Sequence, residues 1–224
     1  LLTRGRLGVI VRPSSELALL TEWDLQETFP PLRRSLAAHH AGMYLAELVQ
    51  HAVHDHDPHE RLYMELLGAL RSLEIDDDRS AMLVRFQWAL LVETGYRPVL
   101  DRDVATGGPL GDGPWCFFDP VLGGLVNAPP TTPPTGRHEE QGAPPTAAAG
   151  RGWRVRRATI DALRTVAVQF SNDQATSGMD SSQAARGAEK DHERAARLLA
   201  SYLRYVLGRE PRLLNVLFGT KLPR

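Results

Sequence analysis

Glu193-Arg-Ala-Ala-Arg-Leu-Leu-Ala-Ser-Tyr-Leu-Arg-Tyr-Val-Leu-Gly-Arg-Glu-Pro-Arg212 decides how this chain folds. At about 100° per residue, Ala195, Leu199, Tyr202 and Val206 fall on one stripe. Arg194, Arg197 and Arg204 fall on the opposite side. Gly208 stands where a helix C-cap belongs, Arg209 follows it, and Pro211 stops continuation. One helix therefore buries an aliphatic-aromatic face and turns a row of guanidiniums outward. Arginine suits planar, bidentate capture of phosphate or carboxylate. A row of charges is also what an ordinary solvated helix face looks like.

That apolar stripe needs helical partners, and the sequence upstream supplies them. Leu32 to about His54 reads as a helix burying Ala41, Leu45, Leu48, Val49 and Ala52. Asp57-Pro58-His59-Glu60 predicts a helix start, with an N-cap carboxylate, Pro at the first position and Glu as capping-box partner. Leu62, Leu66, Leu70 and Leu73 give its inner stripe. Asp76-Asp77-Asp78 opens a third long helix, where acids favour the dipole. Its core stripe is Val84, Trp88 and Leu91, with Met82, Phe86 and Leu90 around it, which predicts the central helix. Gly95-Tyr96-Arg97-Pro98 ends it. Further helices are predicted for Glu22–Glu27 and Arg157–Phe170, and Leu213–Phe218 is an apolar tail.

The remaining segments are short or irregular. Residues 6–21 read as a β-hairpin: Leu7 to Val11, a turn at Pro13-Ser14-Ser15, then Leu17 to Leu20. Two strands alone are marginal in water, so they must pack on the helices or belong to a sheet whose other strands are absent. Trp115-Cys-Phe-Phe-Asp-Pro-Val-Leu-Gly-Gly-Leu-Val126 reads as two short strands around an Asp-Pro…Gly-Gly turn. Residues 127–151 are Pro, Ala, Thr and Gly with hardly any large apolar side chain, a composition expected to be disordered. Residues 171–187 form a polar connector.

The net charge of −1 over 224 residues hides a split. Residues 1–150 hold 12 Lys+Arg against 20 Asp+Glu, whereas residues 151–224 hold 14 against 7, nearly all arginine. The basic third can bind a polyanion locally, or it can complement the acidic part within the molecule. Cys116 is the only cysteine, which excludes an intrachain disulfide and a cysteine-based zinc site and fits a reducing compartment. No apolar run reaches the roughly 18–20 residues of a membrane span. The chain opens Leu-Leu-Thr-Arg-Gly, with neither initiator Met nor signal peptide, and reads as a fragment or a trimmed chain.

Catalytic chemistry is not apparent. His40, Glu47, His51 and His54 share one helix stripe, and the last three are spaced to face one metal ion. The same stripe is the polar side opposite the leucines, where such residues collect by default, and no His-Glu-x-x-His motif is present. Gly-x-Ser-x-Gly, a P-loop and Gly-x-Gly-x-x-Gly are also missing. The acids at Asp76–Asp78, Asp101 and Asp103 read as caps rather than catalysts. No enzyme, metal or cofactor is expected.

The order of these pieces carries more than any one of them. Leu-Leu-Thr-Glu-Trp-Asp-Leu-Gln-Glu-Thr-Phe-Pro30 closes a strand-turn-strand. Then come Tyr44-Leu-Ala-Glu-Leu-Val49, Arg85-Phe86, Gly95-Tyr96-Arg97-Pro98-Val99-Leu100-Asp101, Phe118-Asp-Pro-Val-Leu-Gly-Gly-Leu-Val126 and Tyr202-Leu-Arg-Tyr-Val-Leu-Gly-Arg209. This colinear set resembles the RecO family of bacterial recombination mediators. The resemblance implies a mainly α fold: a helical domain with a β-hairpin remnant of an OB-fold at the N-terminus and a small zinc-finger-like insert. On that pattern residues 1–21 are the C-terminal remnant of the OB-fold. Residues 22–98 are the first part of the helical domain, 99–126 the degenerate insert, 127–151 the linker, and 152–224 the C-terminal part of the helical domain. Where many relatives place two Cys-x-x-Cys pairs, this chain has Asp103, Thr106, Asn127 and Pro130. A thiolate zinc site cannot form there, so the Trp115, Phe117 and Phe118 cluster is expected to hold the insert without metal.

The resemblance further implies a non-catalytic, cytoplasmic, nucleoid-associated protein of recombinational DNA repair. It would bind single- and double-stranded DNA, anneal complementary strands, engage the C-terminal tail of single-strand-binding protein, and act with RecR to load recombinase. Arg4, Arg6, Arg12, Arg194, Arg197, Arg204, Arg209 and Arg212 are the candidate DNA-binding residues. A helical groove with an arginine at its rim suits a peptide ending in a carboxylate. The alternative is a helical protein-interaction domain with no DNA affinity of its own.

Overall fold

A computed structural model describes residues 2–12, 17–55, 57–73, 79–127, 152–172 and 185–219, with side chains from 189 onward in the last segment. The 13–15 turn, Asp76-Asp77-Asp78, residues 128–151 of the linker and most of the 171–187 connector lie outside the described residues. The chain is mainly helical with two small sheets. Among the described residues no helix is long and apolar enough to cross a membrane.

Strands β1 (Thr3–Ile10) and β2 (Leu19–Thr28) pair antiparallel, with Thr3 opposite Thr28 and Ile10 opposite Leu19. The helix expected over Glu22–Glu27 is instead the second half of β2. The residues explain the correction: Thr21, Trp23 and Leu25 alternate with Glu22, Asp24 and Gln26, a period of two that suits a strand. The ribbon stays thinly covered. Leu7, Val9, Leu20 and Trp23 are all exposed.

The single helix expected over Leu32–His54 is two. Helix α1 (Pro31–Arg34) ends at Ser35, whose backbone is extended. The Ser35 hydroxyl then accepts the Ala38 N–H at 3.3 Å and caps α2 (Leu36–Ala52). Helix α3 (Glu60–Ser72) begins two residues later than an Asp57 cap would place it. Asp57 meets the His59 ring at 3.2 Å instead of capping the backbone.

Helix α4 (Arg79–Glu93) is the central one, with Leu83, Val84 and every residue from Phe86 to Leu91 buried. It packs against α2, α3, α5 (Arg157–Asn172) and α6 (Ala185–Leu207). Gln87 reaches across the core to donate to the Tyr44 hydroxyl at 2.9 Å, and burial drives the Tyr44 pKa up. Arg85 forks onto Glu65 of α3 at 2.9 and 2.8 Å. After α4, the Tyr96 N–H returns to the Leu91 carbonyl at 2.7 Å and closes the helix end.

The second sheet has the order β4-β3-β5: β3 (Trp115–Asp119) lies between β4 (Gly124–Val126) and β5 (Trp153–Arg156), antiparallel to both. The expected β3–β4 turn is present. Asp119 accepts the Val121 and Leu122 N–H groups at 2.8 and 3.2 Å. Gly123 takes φ +67°, and an added Cβ there would lie 2.9 Å from the Tyr202 hydroxyl. Gly124 admits the Val99 backbone, whose carbonyl oxygen would lie 2.7 Å from a Cβ. Strand β5 was not anticipated; it runs without a loop into α5.

The predicted arginine helix is α6. Ala195, Leu199 and Tyr202 are buried, Val206 is half-buried, and the helix lies on α4 and α5. Tyr202 also meets Phe118 edge-on at 5.1 Å, while Phe118 stacks on Trp153 at 5.7 Å. The sheet is thereby fixed to the helical body through its inner face. The apolar tail forms α7 (Leu214–Phe218), whose Phe218 packs edge-on against Tyr44 at 5.7 Å.

Candidate nucleic-acid interface

The eight candidate arginines fall into two groups that no extensive packing joins, since β1 and β2 pack mainly against each other. On the ribbon, Arg4 is half-buried, 3.8 Å from Glu27. Arg6 stands opposite Asp24, and Arg6 and Arg12 are exposed. At the other end, Arg194 pairs with Asp191 at 2.8 Å, Arg197 with Glu193 at 2.6 Å, and Arg204 with Glu210 at 3.6 Å. These acids belong to α6 and its exit, not to the acidic first part of the chain. Arg209 and Arg212 are exposed, and the Arg212 N–H is taken by both Glu47 oxygens at 3.0 Å.

Other arginines of the basic third serve the fold. Arg157 donates to the Gly113 carbonyl at 3.0 Å and also to the Gly111 carbonyl. Arg164 donates twice to the Leu100 carbonyl, at 3.0 and 2.6 Å. Both guanidiniums tie the 99–114 loop to α5.

The loop is held by a carboxylate. Asp103, buried, accepts the Ala105 and Thr106 N–H groups with one oxygen at 2.8 and 3.1 Å, and the Asn127 N–H with the other at 2.9 Å. The Asn127 side chain then bonds the Gly111 N–H at 2.7 Å and the Pro109 carbonyl at 3.0 Å. The Asn127 N–H chiefly, with Thr106 and Ala105, holds the Asp103 carboxyl below its ordinary range against the opposing effect of burial. Asp103 therefore staples two loops distant in sequence. Of the aromatic trio expected to hold this region, only Phe118 is buried in the core; Trp115 is exposed and Phe117 half-buried. Alternation along β3 explains the correction, because Cys116 and Phe118 take the inner face. Burial raises the Cys116 thiol pKa.

The outer face of the sheet carries a cluster that charge counting along the chain had missed. Arg154 and Arg156 are exposed on β5, opposite Phe117 and Trp115 in register. Their guanidiniums lie 4.1 and 5.1 Å from the Trp115 ring centre. The alternating Trp-Arg-Val-Arg of 153–156 was the available signal.

The histidine stripe does not gather into a metal centre. Among the described residues, no group of three or more His, Cys, Asp or Glu side chains is placed to hold an ion. Glu47 is turned to the Arg212 backbone, and the His51 Nδ1 is buried without a hydrogen bond. Between α2 and α3 lies a cleft of about 200 Å³ lined by Val49, Val53, Leu62, Tyr63 and Leu66 together with Asp57 and His59. Among the described residues no arginine lines it, so the expected arginine-rimmed groove is not found there.

A small sheet is thus stapled to a mainly helical body, with arginines displayed outward. Residues 33–133 match the family model described as the recombination protein O C terminal. The chain is 34% identical over 117 residues to the DNA repair protein RecO of Anaeromyxobacter sp. (strain K), covering 52% of this chain and 46% of that protein. It is 40% identical over 96 residues to RecO of Nitrosospira multiformis (43% and 39% covered), and 38% identical over 129 residues to RecO of Pelotomaculum thermopropionicum (55% and 46% covered). Residues 33–133 are thus similar to the C-terminal region of RecO proteins. The aligned stretches span 39–46% of the length of these curated relatives. The arginine helix lies beyond the residues the family model matches.

Proposed function

We propose that the chain is a non-catalytic mediator of recombinational DNA repair that binds single- and double-stranded DNA. The observation that carries this reading is the similarity of residues 33–133 to the C-terminal region of proteins named DNA repair protein RecO. The exposed arginines on the ribbon and at the C-terminal end support it, because guanidiniums neutralise phosphates without regard to sequence. In this reading the ribbon corresponds to the last part of an OB-fold, and the Asp103-stapled loops with their sheet take the place of a zinc-bound insert. Strand annealing, action with RecR, capture of the tail of single-strand-binding protein and a nucleoid location in the bacterial cytoplasm complete the proposal.

Binding of labelled single- and double-stranded DNA at low and moderate salt tests it. Affinity is expected to fall steeply with salt, and further in Arg197→Glu and Arg204→Glu. Absence of binding at low salt refutes the DNA reading. One observation favours the alternative of a helical interaction domain without DNA affinity. Arg194, Arg197 and Arg204 each reach an acid on their own segment, which lowers the field that α6 presents. Titration with purified RecR and with a peptide of the acidic-hydrophobic tail separates the two: the alternative predicts binding to a protein partner and none to DNA.

A further inference from the structure

We propose that the outer face of the β4-β3-β5 sheet is a stacking site for single-stranded DNA, with Trp115 as the base platform and Arg154 and Arg156 as phosphate partners. The inference rests on the DNA-binding reading and assigns it a surface.

Alternation builds the face. Along β3 and β5, Cys116, Phe118, Trp153 and Val155 turn inward, which leaves Trp115, Arg154 and Arg156 outward and Phe117 partly so. The register sets Trp115 opposite Arg156 and Phe117 opposite Arg154, so two cross-strand aromatic-arginine pairs lie side by side. Trp115 remains 39% exposed. Phe118 and Trp153 on the other face, by contrast, stack in the core. A ring needed only for packing would be covered in the same way.

Charge points to the occupant. Among the described residues no acid forms an ion pair with Arg154 or Arg156; their partner is the Trp115 ring. Arg157, one residue on, spends its guanidinium on loop carbonyls. Two exposed cations with no anionic partner among the described residues, in a segment with twice as many basic as acidic residues, complement a polyanion. The aromatic selects among polyanions. Bases of a single strand offer open π-faces, whereas those of a duplex are already stacked. Cation–π contacts at exposed sites are weak, so a base and a phosphate can take over the contacts that the ring and guanidiniums now make with each other.

The test is fluorescence anisotropy of a labelled oligothymidine with the whole chain at low salt. Trp115→Ala and the double variant Arg154→Gln/Arg156→Gln are expected to weaken binding about tenfold or more, whereas Trp115→Phe retains most of it. An abasic strand of equal length, which requires no variant, is expected to bind the parent chain more weakly than oligothymidine. Equal binding of the two strands, or unchanged affinity in the variants, overturns the sheet site and leaves the DNA reading standing. If the parent chain binds no single-stranded DNA at all, both fall together.

Discussion

Two faces carry arginines of residues 151–224, and they are built on different terms. On α6, Arg194 and Arg197 are held by acids three and four residues before them, and Arg204 reaches Glu210. On the outer sheet, Arg154 and Arg156 lie beside Trp115 with no described acid in reach. The α6 guanidiniums meet a phosphate with a carboxylate already beside them, whereas those on the sheet meet it from a weak π contact. A count of basic residues along the chain makes the helix the stronger candidate; the pairing makes it the weaker one.

The largest test of the contrast is whether the sheet face has a firm base. Phe118 lies between Trp153 and Tyr202, fully buried. Phe118→Ala is expected to cost about 3–5 kcal/mol in denaturant unfolding. A loss near zero would mean that the sheet is not anchored as described, and the comparison would lose one of its sides. Gly124→Ala drives a methyl group into the Val99 carbonyl and the Val104 side chain and should cost about 1–3 kcal/mol by the same measurement.

Acid tests the staple behind the face. The Asp103 pKa is lowered in the folded chain, so its contribution is complete above the unfolded value of about 3.9 and is lost as pH falls through the folded one. Asp103→Asn should melt earlier than the parent at neutral pH, and the gap in Tm should close on acidification. A constant gap from neutral pH to below pH 3 would contradict the staple. The smallest effect belongs to the helix. Arg194→Gln and Arg197→Gln are each expected to cost about 0.5 kcal/mol or less, because exposed pairs within one helix contribute little. Their effect on DNA affinity should be smaller than that of Arg154→Gln/Arg156→Gln. The reverse ranking would invert the comparison.

Sequence patterns revealed the helical body because its signals are local and long. The α4 core, the α6 stripe and the Asp-Pro…Gly-Gly turn each span enough residues to show their period. The second half of β2 reads as a helix from sequence because the six residues Glu-Trp-Asp-Leu-Gln-Glu of 22–27 carry charges that also suit one. Strand β5 was missed for a different reason. Four residues are too few to set a period, and their partner on β3 lies 39 residues away at the Cys116–Val155 contact. The Asp103 staple joins residues 24 apart, which no spacing rule links. The candidate site shared this fate. Trp115 was in view as a packing residue and Arg154 and Arg156 only as part of a charge count; the sheet register makes them neighbours.

Tyr202 gives the two faces a common geometry. Its backbone belongs to α6, its ring meets Phe118, and its hydroxyl stands over Gly123 in the β3–β4 turn. Helix and sheet thus share one anchoring side chain at the point where they touch. A polymer touching both would be gripped at two points of fixed separation. The shortest strand able to do so would then be set by the protein and not by the ligand, and binding plotted against oligonucleotide length would rise in a single step.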